Sequence, residues 1–529
     1  MMNRKDFLRR AGLAGTAVLV SPHFALAQVG RPKSTLKFVP ANALTILDPI
    51  ITTAAVSITH GYCVWDTLFG VNGKLEPKPQ MAESGVASTD GKTWTIKLRD
   101  GLFFHDGQPV RSKDCVASLE RWSKRDVSGI ALAKVVEAYQ TPDDRTLVIK
   151  LKSPFPRMLH VLGKPHSSPA FIMPERVAQT SPTQAITEII GSGPYRFVAK
   201  EYVPGSKVVY EKFEKYKPRV EPADWTSGGK VVNFDRLEWV IITDASTAAN
   251  ALQNGEVDWL ETPLPDLIPV LKGNSNVKVG INDPYGLIGV LRFNSSQVPF
   301  NNPKVRQAVW EAVNQTDYMG ALGLEKNEYE VCHSNYPCGM PGVKNGISGK
   351  PGGLEKAKKL LKESGYKGER VVILNPTDSA NLAPFGPVTA DLLKRIGFNV
   401  ELQDMDWGTV TQRRTSKEPV DKGGWSIFHT TWPSVATGDP LLNTNVRGQG
   451  QAGWFGWFDD PQTEQLSNDW LNAPDATQQQ KLFEDAQRRA MDTMPIVLLG
   501  KFITHNAMRK TLAGNVQGSA PYFWGVRRT

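Results

Sequence analysis

The sequence predicts an α/β protein built from more than one domain. Short apolar and β-branched runs alternate with stretches of helical periodicity along nearly the whole chain. The chain has 529 residues, and a single hydrophobic core stops growing near roughly 250–300 residues. Hydrophobic residues make up 40% and charged residues 22%, the balance of a globular chain and not of a disordered one.

The first 27 residues read as an export signal. Arg4, Lys5, Arg9 and Arg10 supply positive charge ahead of the uncharged run Ala11–Val20, and Ala25-Leu26-Ala27 has the small-x-small pattern of a cleavage site. A membrane span needs roughly 20 apolar residues, twice the length of this run. No cysteine stands at the cleavage point to carry a lipid. The run Asn3–Arg9 is similar to the twin-arginine export signal, with Lys5 where the second arginine belongs and Asn3 at the first position.

The mature part then alternates. Thr35–Val39 (TLKFV) reads as a strand, and Ser57–Phe69 carries apolar residues at helical spacing. Trp94–Phe104 alternates with period two and breaks at Asp100-Gly101, a turn pair. Ser112–Trp122 reads as a helix with Ser112 as its N-cap. Thr146–Leu151 is a strand, and Tyr195–Phe213 reads as a hairpin turning at Pro204-Gly205. Leu237–Ile242 is an apolar strand followed by a helix from Ser246. Leu287–Phe293 is a strand, and Pro303–Val313 a helix with proline in its first turn. Helices 354–364 and 388–396 end at Gly365 and Gly397, glycines suited to a left-handed C-terminus. Strands 371–374, 399–402, 425–430 and 496–499 and helix 478–491 complete the pattern. Strands alternating with helices in this way imply sheets covered on their faces.

Charge and motifs exclude several classes. Net charge is +9, and about +6 once the leader is set aside, but the basic residues are dispersed and form no long run. A solvated surface is the expected role of these charges, and no nucleic-acid partner is expected. There is no P-loop, no G-x-G-x-x-G after a strand and no G-x-S-x-G elbow. Ser34–Lys37 and Ser364–Lys367 match S-x-x-K, without the companion motifs of a serine acyl-enzyme. The eight histidines are scattered, without metal-ligand spacing; His105 and His429 are expected to be hydrogen-bonded structural groups. No catalytic residue, metal or cofactor is expected. Of four cysteines, Cys332 and Cys338 share a short proline-containing loop and are expected to pair in an oxidising compartment. Cys63 and Cys115 fall in helical patterns and are expected as buried small hydrophobes.

Motifs distributed along the chain now combine. They include Leu47-Asp48-Pro49, Trp65-Asp66-Thr67-Leu68, the long segment Leu75–Cys115, Gly191-Ser192-Gly193-Pro194-Tyr195, ALQNGEVDW at 251–259, Phe293-Asn294 and Val305–Ala308. In this order they resemble the family 5 extracellular solute-binding proteins of ABC importers, which include dipeptide-, oligopeptide- and nickel-binding members. The resemblance runs from about Thr35 to the C-terminus. It implies a type II periplasmic-binding-protein-like fold, with two lobes around a ligand cleft and an extra subdomain on the first lobe. Residues 28–70, 190–288 and 498–529 would form the first lobe, 71–189 the extra subdomain and 289–497 the second lobe. Crossings near Tyr285–Val290 and Leu498–Phe502 would form the hinge.

The resemblance also implies the role. A periplasmic, monomeric, non-enzymatic binding subunit would capture a short peptide and deliver it to ABC permease subunits. A nickel chelate, an opine or an oligosaccharide is the alternative ligand, and a periplasmic peptidase the reading from another class. In peptide-binding relatives an aspartate before proline pairs with the ligand's α-ammonium, and Asp439 in Gly438-Asp439-Pro440 is the matching position. Aspartate before proline is also a common turn cap. Trp432 and Trp407, each after an expected strand, suit the walls of a concave site. Tyr285 in the hinge segment and Arg447, facing a ligand carboxylate, complete the expected ligand-binding set.

Overall fold

The computed structural model describes residues 34–529, so the expected export signal lies outside the described residues. Strand Thr35–Val39 alternates in sequence yet is buried on both faces, with Lys37 alone partly open. It is central to a seven-stranded sheet in the spatial order 277–281, 505–509, 259–260, 35–39, 236–240, 207–212 and 195–197. Strands 236–240 and 259–260 flank it in parallel, and the outer strands are antiparallel.

A second sheet has six strands in the order 329–330, 496–502, 287–293, 427–433, 370–376 and 399–405. Strand 370–376 is parallel to both of its neighbours. Helix Phe385–Ile396 covers this sheet through Phe385, Leu393 and Ile396 and ends at Gly397, whose φ of 109° an L side chain rarely adopts. A third, wholly antiparallel sheet of four strands (82–87, 93–98, 146–151, 136–143) is covered by helix Ser112–Trp122.

One buried cluster runs from the first sheet (Phe38, Trp239, Trp259) into the four-stranded unit (Ile96, Trp122, Ile149). That unit, the annex, shares this cluster with the first sheet, and the cluster also takes in Ile288, Val290, Trp432 and Leu498 of the second sheet. The second sheet has a largely separate core around Leu291, Ile373, Phe385 and Phe428. The chain leaves the first sheet after Ile281 and enters the second at Leu287; it returns between Phe502 and His505.

Local differences from the expectations have physical reasons. The return crossing lies after Phe502 because Phe502 still pairs with Leu287 and Tyr329 in the second sheet. Helical spacing over 57–69 yields a helix only over Ala55–Val64, since Trp65 turns extended and Phe69–Val71 pairs with Pro77–Pro79. The N-cap of helix Ser112–Trp122 is Arg111: the Asp114 carboxylate accepts the Arg111 N–H (2.8 Å), and Ser112 Oγ donates to the Asp143 carbonyl. His105 is structural, donating and accepting between the carbonyl of Gly193 and the amide of Gly191. Cys63 and Cys115 are free and buried.

Candidate ligand-binding site

In open parallel sheets, ligands bind outside the carboxyl ends of the strands. Here both large sheets turn such ends toward one cleft. From the first lobe come the residues following strands 35–39, 236–240 and 259–260, namely Pro40–Ala43, Ile241–Ala245 and Glu261–Leu264. From the second lobe comes the segment after strand 370–376, Thr377 to Pro384. These segments enclose a cleft of about 410 Å³. Asn42, Glu261 and Thr262 also line a smaller cavity of about 100 Å³ behind it, closed by Thr431 and Pro433 of strand Ile427–Pro433 and by Asn282 and Asp283 of the crossing segment. On the annex side lies a further interlobe cavity of about 370 Å³, with Thr52, Asp126 and Ser168 facing Thr444, Trp454 and Trp457.

The structure places the expected site residues in different roles. Trp432 is buried in the seam between the lobes. Its ring meets Trp454 edge-to-face at 5.4 Å and His166 of the annex at 6.1 Å, and its Nε1 has no partner among the described residues. Both ring nitrogens of His166 are likewise unpartnered, and burial, with the nearby Lys164 cation, pushes that imidazole down to about 3.

Asp439 is largely buried and faces the annex. Its Oδ1 accepts the amides of Leu441 and Leu442, both at 2.9 Å. Its Oδ2 lies 3.2 Å from Arg157 Nη2 and 3.5 Å from His160 Nε2. Burial opposes the charge, but the His160 ring and the Arg157 guanidinium outweigh it and hold the carboxyl below the usual carboxylate range. Turn capping and a cation from the chain itself thus engage both oxygens.

Arg447 lines none of the three cavities above. Its Nε and Nη2 meet both oxygens of Glu464 at 2.7 and 2.6 Å, and Nη1 donates to the Leu441 carbonyl at 3.1 Å. Trp407 opens helix Trp407–Arg413 and stacks beneath the Arg414 guanidinium at 5.4 Å, inside the second lobe. Only its amide reaches toward the cleft, donating to Asp378 at 2.7 Å. Tyr285 turns away from the cavities, with its hydroxyl donating to the Gly73 carbonyl at 3.1 Å and its ring against Trp225. Cys332 and Cys338 form a disulfide in a buried loop of the second lobe.

Residues that sequence reasoning passed over line the inner cavity instead: Asn42, Glu261, Asp283 and Asn506. Glu261 directly follows strand 259–260 and Asn42 stands three residues beyond strand 35–39, but a two-residue strand leaves too little pattern to mark that position in the sequence. Asp283 and Asn506 stand beside the crossings and carry no motif.

A family model described as bacterial extracellular solute-binding proteins, family 5 Middle, matches residues 76–453. A probable peptide ABC transporter periplasmic-binding protein of Sinorhizobium fredii is 37% identical over 532 aligned residues, covering 100% of this chain and 99% of that protein. A glutathione-binding protein of Pectobacterium atrosepticum is 28% identical, covering 89% of this chain and 90% of that protein. In fold, the chain is similar to a periplasmic binding protein of Helicobacter pylori solved with the peptide STSA. The TM-score is 0.78 at 22% identity, covering 93% of this chain and 98% of that one.

Proposed function

The chain belongs to the family 5 bacterial extracellular solute-binding proteins, and from that premise we propose that it is the solute-binding subunit of an ABC importer for short peptides. Members of the family are periplasmic or extracellular binding proteins, and the leader at residues 1–27 fits that location. The observation that carries the reading is the cleft itself. Strand ends from two lobes face each other across it, and among the described residues two short segments, 282–286 and 503–504, join those lobes. Such a joint permits hinge closure over a ligand.

A peptide suits this cleft because strand ends and irregular loops offer backbone donors and acceptors to an extended chain. Trp432 and Trp454 form an aromatic wall at the seam. The relative from S. fredii is named for a peptide, the one from P. atrosepticum for glutathione, and both ligands carry amide backbones. The residue boundaries proposed for the lobes are those of the two sheets, with the second lobe running to Phe502.

The test is thermal unfolding of the mature protein after refolding from denaturant, which strips bound ligand, against di- to pentapeptides. A peptide at a hundredfold its dissociation constant should add about 2.7 kcal/mol. If no peptide raises the melting temperature while an opine, a sugar or a metal chelate does, the peptide assignment fails and the binding subunit remains.

A further inference from the structure

Most buried carboxylates elsewhere in the molecule carry a cation of their own; Asp114, which does not, has its two oxygens taken by the amides of Arg111 and Glu175. Asp48 pairs with Arg121 at 2.7 Å, Asp66 with Lys230 at 2.7 Å, and Asp126 with Lys164. Asp460 pairs with Arg489 and Glu464 with Arg447. A buried charge without a partner is expensive, and this pattern is what that expense predicts.

The inner cavity departs from the pattern. Asp283 is 7% exposed and part-buried Glu261 stands opposite in the same cavity of about 100 Å³. Neither makes an ion pair among the described residues. Asp283 Oδ1 accepts the Tyr285 amide at 2.9 Å, and Oδ2 has no partner. Glu261 Oε2 accepts only the Ala41 amide, at 2.7 Å. Lys501, the cation whose field reaches Asp283, is engaged with Glu330 at 3.4 Å and with the Cys338 carbonyl at 2.8 Å.

Neutral polar groups around the two acids are unsatisfied as well. Asn282 donates through Nδ2 to the carbonyls of Gly518 and Ala520, at 2.9 and 3.0 Å, which fixes its amide and leaves Oδ1 free. Asn42 Oδ1 is free too. Two donors are also unpartnered: Asn506 Nδ2, on a residue 4% exposed, and Trp259 Nε1, on a residue 0% exposed. About three waters would fill such a volume, but water supplies no counter-charge to two carboxylates. Burial pushes Asp283 and Glu261 each up to about 7, as expected of acids with no cation of the chain beside them.

We propose that this cavity receives an N–H-bearing cation of the ligand, an ammonium or a guanidinium, with Asp283 and Glu261 as counter-charges and the amide oxygens of Asn42 and Asn282 accepting its remaining N–H groups. The Asn506 amide and the Trp259 indole then face an oxygen next to that cation. The inference rests on reading the cleft as the ligand site, and it moves cation recognition away from Asp439, whose oxygens are already engaged. A peptide N-terminus and a lysine or arginine side chain share this chemistry.

Isothermal titration of refolded protein distinguishes them. The probes are Ala-Ala-Ala, N-acetyl-Ala-Ala-Ala, Ala-Lys-Ala and its twin acetylated at both amines, and, as non-peptide cations, L-arginine and putrescine beside citrulline and 1,4-butanediol. The readout is the affinity ratio of each cation to its neutral twin. In the wild type this ratio should be about tenfold or more. Asp283→Asn and Glu261→Gln, each checked for a cooperative melt, should reduce it to within about threefold. Asp439→Asn should leave the ratio unchanged while weakening both twins alike. Preference for Ala-Ala-Ala over its acetylated form assigns the cation to the peptide terminus; preference confined to Ala-Lys-Ala assigns it to the side chain. If only arginine or putrescine binds, the cavity stands and the peptide reading fails. The cavity proposal is overturned if the wild type does not prefer cations, if both cavity variants keep the ratio, or if Asp439→Asn alone abolishes it.

Discussion

Asp439 does two things with one carboxylate. Oδ1 holds the amides of Leu441 and Leu442, and Oδ2 meets Arg157 and His160 from the annex. The pair is largely shielded from water, so removing one partner leaves a poorly solvated charge. Asp439→Asn preserves the cap oxygen and deletes the ion pair. It should destabilise by about 1–3 kcal/mol in urea unfolding, and a double-mutant cycle with Arg157→Gln should show coupling of at least about 0.5 kcal/mol. Additive single losses would mean that the two side chains do not interact in solution. The depressed carboxyl contributes stability above its unfolded value near 4, and loses that contribution as pH falls through the lower folded value.

Asp283 and Glu261 have the opposite sign. Their folded values, near 7, lie above the unfolded ones, so the native state binds more protons between about pH 4 and 7. The ligand-free protein should therefore lose stability through these groups as pH rises across that window. The groups facing Asp283 are Lys501, Tyr522 and the amides of Tyr285 and Gly286; Glu261 meets the Ala41 amide. Buried His60, His166 and His429, pushed down to about 3, act in the other direction over the same range. Comparing wild type with Asp283→Asn isolates the acid. The variant should gain on the order of 2–4 kcal/mol relative to wild type between pH 4 and 7. A difference independent of pH would show that Asp283 ionises normally.

At the scale of elements, the two crossings define what the joint tolerates. Gly286 stands at φ 72°, and a Cβ there would lie 2.6 Å from the carbonyl oxygen of Phe502 on the returning chain. Gly286→Ala should cost about 1–3 kcal/mol, read from urea unfolding; no loss would mean that the crossing relaxes freely. The elements themselves were legible where apolar pattern and end signals agreed, as in helix Pro303–Ala312 with its first-turn proline, or helix 385–396 ending at Gly397. The strand Trp259–Leu260 was not, because two residues give periodicity too little length, nor was His505–Arg509, whose HNAMR shows no apolar alternation. The site was less legible still. Arg447 looks available in sequence, and its partner Glu464 lies 17 residues away; Asp439 meets an arginine 282 positions earlier. Such pairings are set by the folded topology and leave no local mark. Trp432 stands between Thr431 and Pro433, which line the inner cavity, and itself packs against Trp454 and His166.

For the whole molecule, closure is held by few polar contacts. Besides Arg157–Asp439, the lobes meet through Ser167 with Thr444 at 3.1 Å, Trp454 Nε1 donating to Thr53 at 3.3 Å, Gln449 Nε2 donating to the Val127 carbonyl at 3.5 Å, and His505 with Glu328 at 3.7 Å. Each is worth on the order of 1 kcal/mol, which suits a protein that must both close and reopen. A ligand can shift that equilibrium only by binding the closed form better. Small-angle scattering should therefore show a larger radius of gyration without ligand than with it. Arg157→Ala removes a latch without touching the inner cavity, so it lowers the closed fraction and weakens every ligand by one common factor, up to about tenfold. The cation-to-neutral ratio set by Asp283 and Glu261 should survive unchanged. A loss confined to cationic ligands would place Arg157 and Asp439 at the ligand itself; unchanged affinity for all ligands would mean that closure does not depend on this latch.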